Sequence, residues 1–193
     1  FYSHKAFQWG MYNLGNANYP NIIYEGDTLV LKSDFYNSSQ PPFLFQDMWE
    51  VRGVLDADQY AIRSTNLRVP SGGKVITRSP NGFDIQLSNA QTVDFQPGSS
   101  LEFAGNVQQQ FMSTGIFSDE IKNHRVLIIN NPEGVVMNID SVTVLDTLKL
   151  LSGKLITNST NYITTLPSTG VQYQFGSYID GPLRAIINNN FPN

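Results

Sequence analysis

VLIINNPEGVVMNIDSVTVLDTLKLLSGKLIT, residues 126–157, is a run of short apolar segments separated by tight turn signals. Asn130–Gly134 and Ser152–Gly153 can form corners, because Asn and Gly tolerate positive φ. No long loop is present to carry a Greek-key crossover, so each strand is predicted to pair with the strand one coil above it, as in a β-solenoid. Alternation along the strands defines an inward face. The residues predicted to point inward are Val142, Val144, Leu148, Leu150 and Ile156.

Similar strand signals recur along the chain, about seven to twelve residues apart, a spacing typical of all-β folds. The predicted strands are Thr28–Lys32, Lys74–Thr77, Phe83–Leu87, Gln91–Phe95, Ser100–Phe103, Val126–Ile129, Val135–Ile139, Val142–Leu145, Thr147–Leu151, Lys154–Thr157 and Tyr162–Thr164. Helical spacing is almost absent. Phe43–Val51 is the exception, where helix and non-helix remain open alternatives.

Two short sequences return along the chain, which indicates stacked units that bury their apolar faces on one another. Residues 27–31, DTLVL, are echoed by DTLKL at 146–150. Residues 71–77, SGGKVIT, are echoed by SGKLIT at 152–157. The period between the echoes is not fixed, so the repeats are degenerate.

The composition is that of a folded strand-and-turn protein. Of the 193 residues, 40% are apolar, 12% aromatic and only 15% charged, with a net charge of −4. Disordered chains combine high net charge with few aromatics, which is not the case here. Thr and aromatic residues suit pleated surfaces, while Asn and Ser suit turns.

Charge and cysteine content argue against several classes of function. The 12 basic residues are scattered, whereas nucleic-acid binding needs them clustered. The chain has no cysteine, so disulfides and thiolate chemistry are excluded. The chain contains no run of 18 apolar residues, so the sequence predicts no membrane-spanning helix.

Four segments, in order, resemble the β-helix-like repeats of large Bacteroidetes proteins exported by the type IX secretion system. They are GSSLEFAG at 98–105, VLIINNPEGVV at 126–136, VTVLDTLKLLSGKL at 142–155 and SYIDGPL at 177–183. The resemblance implies a secreted or cell-surface protein with a parallel β-solenoid or β-helix, secretion machinery as a partner and an adhesin-like role. Phe191-Pro192 resembles the start of the next strand of that repeat, so we expect the natural protein to continue past Asn193.

The resemblance does not extend evenly over the chain, which suggests a division near residue 70. Residues 71–193 are assigned to the solenoid repeat region. Residues 1–70 match the pattern only at 27–31 and hold both tryptophans. They are predicted to be an irregular, aromatic-rich β module or the leading coils of the same solenoid.

Catalysis has few candidate residues. His4 and His124 lie far apart, and no nucleophile elbow, zinc-protease motif or phosphate loop is present. Asp56 with Asp58, or Asp119 with Glu120, offers paired carboxylates of the kind glycosidases use. Exposed loop charges are the simpler interpretation of both pairs. We expect no catalytic, cofactor or metal residues; calcium has two candidate ligands, Asp56 and Asp58, but no recognisable binding loop.

Binding and modification offer further candidates. Trp9 and Tyr12 are candidates for stacking on sugars, with core packing as the competing interpretation. The resemblance also implies O-glycosylation at Asp-Ser/Thr-apolar sites, here Thr28, Ser141 and Thr147. The competing interpretation is that these sites are turns leading into strands.

The expected function is a non-enzymatic structural or adhesive repeat region of an extracellular bacterial glycoprotein. A polysaccharide or cell-surface glycan is a candidate partner. One alternative is a carbohydrate-binding or polysaccharide-degrading β-helix protein. A second alternative is a cargo of a secretion machine.

Overall fold

The computed structural model describes residues 21–31, 48–60, 66–83, 92–111 and 123–187, and these contain strands but no helix. The strands are β1 (Asn21–Ile23), β2 (Thr28–Val30), β3 (Met48–Val51), β4 (Val54–Asp56), β5 (Asn66–Val69), β6 (Lys74–Thr77), β7 (Thr92–Phe95), β8 (Ser100–Phe103), β9 (Gln109–Phe111), β10 (Asn123–Asn130), β11 (Val135–Met137), β12 (Ser141–Ser152), β13 (Lys154–Ile156), β14 (Tyr162–Thr165), β15 (Gly170–Tyr173), β16 (Tyr178–Asp180) and β17 (Leu183–Ala185).

Every strand pairing in the described residues is parallel and joins one coil to the next. The first sheet has the order β1-β3-β5-β7. The second runs β17-β14-β12-β10-β8-β6-β4-β2, with β15 also paired to β12, and the third runs β16-β13-β11-β9. Up to β8 the chain alternates between the first and second sheets. From β9 onward it alternates between the third and second sheets, except that β14 and β15 are successive strands of the second. The prediction of an all-β parallel solenoid is confirmed.

The register of the second sheet aligns side chains in columns. The Leu29 column faces inward and contains Leu29, Leu55, Val75, Leu101, Leu127, Leu148 and Val171. The Thr28 column and the Val30 column flank it on the outward side. The Thr28 column contains Thr28, Val54, Lys74, Ser100, Val126, Thr147 and Gly170. The Val30 column contains Val30, Asp56, Ile76, Glu102, Ile128, Lys149 and Gln172.

The two sequence echoes have different structural meanings. DTLVL and DTLKL occupy the same columns, since Thr28 and Thr147 share one and Leu29 and Leu148 share another. SGGKVIT leads into β6 of the second sheet, whereas SGKLIT leads into β13 of the third. The first echo is therefore a true repeat of position. The second echo is a repeat of corner chemistry only.

The prediction that the side chain points inward is correct for four of the five residues. Val142, Val144, Leu148 and Leu150 are buried, but the prediction for Ile156 is wrong, because Leu155 is the buried residue of β13. Gly153, with φ +73°, turns the chain between β12 and β13 and shifts the alternation by one residue.

The helical alternative at Phe43–Val51 is also wrong where the structure describes it. Met48–Val51 is strand β3, which lies between β1 and β5. Trp49 and Val51 point into the core and Glu50 lies between them in the sequence, a period of two. Residues 43–47 lie outside the described part of the chain.

Strands from the first 70 residues pair in the same sheets as those that follow. β2 and β4 stack directly beneath β6, and β1, β3 and β5 stack beneath β7. The buried residues from Ile23 to Ile163 form one hydrophobic cluster. The division of the chain at residue 70 stays a prediction.

Candidate functional site

The outward surface of the second sheet carries charges that meet across coils. Glu102, in the Val30 column, is buried, and its carboxylate is held on both oxygens. Lys74 Nζ lies 2.9 Å from Glu102 Oε2, and Asn130 Nδ2 donates to Oε1 at 2.8 Å. These contacts join three successive coils, since Lys74, Glu102 and Asn130 belong to β6, β8 and β10. The carboxylate therefore acts as a strut between strands.

Asp56, two coils below Glu102 in the Val30 column, is engaged in a similar way. Its Oδ1 accepts hydrogen bonds from the Arg78 guanidinium and, at 3.0 Å, from the Asp58 N–H. Asp58 has φ +52° and follows the end of β4. Asp56 and Asp58 therefore do not stand at alternate positions of one strand, because β4 ends at Asp56 and the chain leaves the extended conformation before Asp58.

A different acid pair arises from the coil register. Asp56 and Glu102 stand in one outward column with Ile76 between them. Two strand spacings, roughly 9–10 Å, separate their backbones. Their sequence separation conceals this proximity, and only the assignment of coils would have revealed it. Asp119 and Glu120, the other predicted pair, lie outside the described residues.

The first sheet carries its own outward column of ion pairs. Glu50 accepts from Arg52 Nε and lies 3.6 Å from Arg68 Nη1. Arg68 Nε is in turn 3.9 Å from Asp94. Glu50, Arg68 and Asp94 stack in register on β3, β5 and β7. Opposite charges therefore alternate up this face.

The third sheet also has an ion pair between neighbouring strands, formed by more exposed side chains. Lys154 Nζ lies 3.1 Å from Asp180 on the next coil. The hydrogen bond to Asp180, together with its charge, raises the pKa of the Lys154 ammonium above its ordinary value of 10.5. The ion pair with Asp180 therefore favours the charged form of Lys154. On all three sheets, charged side chains bridge neighbouring strands.

At the corner beside β9, buried side-chain amides form hydrogen bonds with backbone groups and with each other. Gln109 Nε2 donates to the carbonyl oxygens of Thr77 and Ser79 at 3.2 and 3.0 Å. Gln109 Oε1 accepts from the Gly105 N–H at 2.8 Å and from Asn131 Nδ2 at 2.9 Å. The Gln109 amide therefore makes four hydrogen bonds, the kind of full satisfaction that a buried polar group requires.

The candidate glycosylation residues lie in different environments. Thr28 is exposed at the start of β2, while Ser141 and Thr147 are half-buried in β12. Gly170 stacks on Thr147, and a Cβ there would lie 3.5 Å from Thr147 Oγ1. Because glycine has no side chain, the Thr147 hydroxyl is covered less closely. Asp146, which precedes Thr147, accepts a hydrogen bond from the Gly98 N–H at 3.0 Å. Through that contact Asp146 binds the backbone of the corner between β7 and β8, where Gly98 lies.

Other predicted residues are not placed by the structure. Trp9, Tyr12 and His4 lie outside the described ranges, and of His124 only its backbone position in β10 is described. Within the described ranges no three acidic or histidine side chains gather closely enough to bind one metal ion. Nor does that part of the chain contain a helix long and apolar enough to cross a membrane.

These features define a parallel β-solenoid protein with charged struts on its outward faces and amides at a buried corner. Comparison with protein-family profiles, with curated proteins and with solved structures found no match for this chain.

Proposed function

We propose that this chain is a non-enzymatic structural and adhesive region of a secreted or cell-surface bacterial protein. The observation that carries the proposal is the engagement of outward acids by side chains of neighbouring coils. Glu102 is held by Lys74 and Asn130, and Asp56 by Arg78. Carboxylates bound in this way stiffen the stack and are poorly suited to exchange protons with a substrate.

The parallel ladder itself supports a structural role. Each coil contacts its neighbours through backbone hydrogen bonds and apolar columns, so stability spreads along the stack without a cofactor. The outward columns of the second sheet place charged and polar side chains among aliphatic ones, as with Asp56, Ile76 and Glu102 in the Val30 column, and offer an extended mixed surface. A surface of that kind suits many weak contacts with a glycan better than one deep pocket would.

The proposed setting is the exterior of a Bacteroidetes bacterium, reached through type IX secretion. The support is the resemblance of four sequence segments, each of which falls on strands and corners of the solenoid. The exposure of Thr28 in one Asp-Thr-Leu site is compatible with glycosylation there.

Adhesion can be measured with beads coated with the folded chain and offered to a panel of immobilised bacterial, plant and algal polysaccharides. We expect retention on at least one polysaccharide. The control is the Leu148→Asp variant, whose buried charge should unfold the stack. Equal retention of the control, or no retention on any polysaccharide, would contradict the adhesive role.

A second candidate is hydrolysis of a polysaccharide, which the spacing of Asp56 and Glu102 favours. Inverting glycosidases hold their carboxyl groups about 6.5–9.5 Å apart, and the backbones of Asp56 and Glu102 are two strand spacings, roughly 9–10 Å, apart. Against it, both acids accept hydrogen bonds from basic or amide groups. A general acid or base must be free to meet its substrate, and both of these carboxylates are already occupied by side chains of neighbouring coils.

A further inference from the structure

The corner that follows β6 contains the one Asn-Gly pair of the sequence, Asn81-Gly82. In such a pair the glycine nitrogen can attack the side-chain amide carbon of the asparagine, because glycine has no side chain to hinder the approach. Asn81 is exposed, whereas Gly82 is buried. Water therefore reaches the asparagine, while the residue that would attack it lies within the fold.

Hydrogen bonds hold the backbone of this corner on several sides. The Gly82 N–H donates to the Ser79 carbonyl oxygen at 2.9 Å, and the Gly82 carbonyl oxygen accepts from Thr77 Oγ1 at 2.8 Å. The Pro80 carbonyl oxygen accepts from the Gln110 N–H at 2.7 Å. The turn is therefore fixed both before and after Asn81.

Close packing against β9 restricts the same glycine. Gly82 has φ +78°, and a Cβ there would lie 1.9 Å from the Gln110 carbonyl oxygen. Gln109 Nε2 also donates to the Ser79 carbonyl oxygen, at 3.0 Å. The peptide unit between Asn81 and Gly82 cannot rotate far without breaking these contacts.

We propose that Asn81 is a site of non-enzymatic deamidation, which the folded corner blocks and which local opening of the corner permits. To reach the Asn81 side chain, the Gly82 nitrogen must leave its hydrogen bond to Ser79 and rotate out of the turn. The buried Thr77 hydroxyl must release the glycine carbonyl at the same time. Corners open locally with a smaller free energy than the whole fold, so this opening sets the rate of the reaction.

The reaction needs water as its only co-reactant. A bond forms between the Gly82 nitrogen and Asn81 Cγ, and the bond from Cγ to Nδ2 breaks. Ammonia leaves with the proton of the Gly82 N–H, and a succinimide ring remains. Water then opens the ring at either of its carbonyls and yields aspartate or isoaspartate.

Isoaspartate makes the opening irreversible. Its main chain runs through the former side chain and is one carbon longer, so the turn from the Ser79 carbonyl to the Gly82 N–H no longer fits. The contacts of Gly82 with Thr77 and with β9 are then lost as well. A corner that opens and reacts once therefore stays open.

Timed incubation of the natural chain at mildly alkaline pH tests the proposal, with one sample folded and the other unfolded in guanidinium. Circular dichroism verifies the state of each sample. Peptide mapping by mass spectrometry separates the asparagine, aspartate and isoaspartate forms of residue 81. We expect Asn81 to be converted in the unfolded sample and retained in the folded sample over the same time.

A matched pair of variants separates opening of this corner from unfolding of the whole chain. Thr77→Val replaces the hydroxyl that binds Gly82 with a methyl group. We expect it to speed conversion of Asn81 in the folded sample roughly tenfold, as the loss of one buried hydrogen bond shifts an opening equilibrium. The control is Thr157→Val, because Thr157 Oγ1 donates to the Pro182 carbonyl oxygen at 2.9 Å in a different corner. It should leave the conversion of Asn81 unchanged.

Equal conversion of Asn81 in the folded and unfolded natural chain would overturn the proposal, because the corner would then give no protection. Retention of Asn81 in both samples would overturn it too, since the pair would not be reactive. Equal rates in Thr77→Val and Thr157→Val would place the opening outside this corner. The comparison of the natural chain in its two states needs no variant, so it decides the matter even where Thr77→Val does not fold.

Discussion

Leu148 is the residue whose replacement tests the inward columns most simply. It is fully buried between Leu127 and Val171. Leu148→Ala should lower the free energy of unfolding by about 2–5 kcal/mol, because it removes buried methyl groups and leaves a cavity. Urea denaturation followed by circular dichroism measures the change. Lys149→Ala, the next residue on the outward side, is the matched control and should change it by under about 0.5 kcal/mol; equal costs would refute the assignment of faces.

Gly153 and Gly176 illustrate two different reasons for a glycine at a corner. It has φ +73°, and a Cβ there would lie 1.9 Å from the Asn131 carbonyl oxygen. Gly176 has φ +86° but nothing within 4 Å. Gly176→Ala should therefore cost about 1–2 kcal/mol from backbone strain alone, and Gly153→Ala should cost more because the clash is added. Thermal unfolding of both variants distinguishes the effects, and equal melting temperatures would count against the close approach of coils at Gly153.

Thr28 is the candidate glycan acceptor that the fold leaves most accessible. It is exposed, while Ser141 and Thr147 are half-buried in β12. We expect protein isolated from its native host to carry a glycan at Thr28 in preference to the other two. Intact-mass analysis and glycopeptide mapping measure this, with Thr28→Val as the control. A bare polypeptide mass would remove the hypothesis.

At the scale of the element, the corner before β9 depends on one amide. Gln109 makes hydrogen bonds to Thr77, Ser79, Gly105 and Asn131. Gln109→Leu should destabilise the fold by at least about 1–3 kcal/mol, because buried polar groups lose their partners. Gln110→Leu, at the neighbouring outward position, is the control and should have little effect. Chemical denaturation that ranks the two variants equally would contradict the buried network.

Strands with alternating aliphatic residues and glycine corners could be predicted from the sequence. Lys74–Thr77 and Ser100–Phe103 have the predicted bounds, whereas predicted strands Val142–Leu145 and Thr147–Leu151 are parts of the single strand β12. An extra residue between Val144 and Thr147, relative to β10, shifts the register and interrupts the side-chain pattern but not the strand. β9 was missed because one of its two inward residues is the polar Gln109, whose burial depends on partners from two other coils.

The outward contacts could not be predicted for a related reason. Lys74 and Glu102 are 28 residues apart, and Lys154 and Asp180 are 26 apart. Coil length varies, since the Thr28 column advances from 54 to 74 and then from 74 to 100. With no fixed period, the sequence does not say which charges become neighbours. The placement of Asp56 and Glu102 in one column follows from that register alone.

For the molecule as a whole, the central claim is that its outward acids brace the solenoid and do not catalyse. Asp56 and Glu102 are the acids whose spacing offers an enzymatic alternative, and both are held by side chains from other coils. If they are struts, Asp56→Asn and Glu102→Gln should lower stability and leave no catalytic activity to lose.

The most direct measurement is release of reducing ends from the polysaccharides that retain the folded chain, assayed with the natural protein, Asp56→Asn and Glu102→Gln in parallel. The account predicts no release above the buffer rate for any of the three proteins, together with lower melting temperatures for both variants. Release of reducing ends by the natural protein that disappears when either acid is replaced would contradict the structural role and establish a glycoside hydrolase.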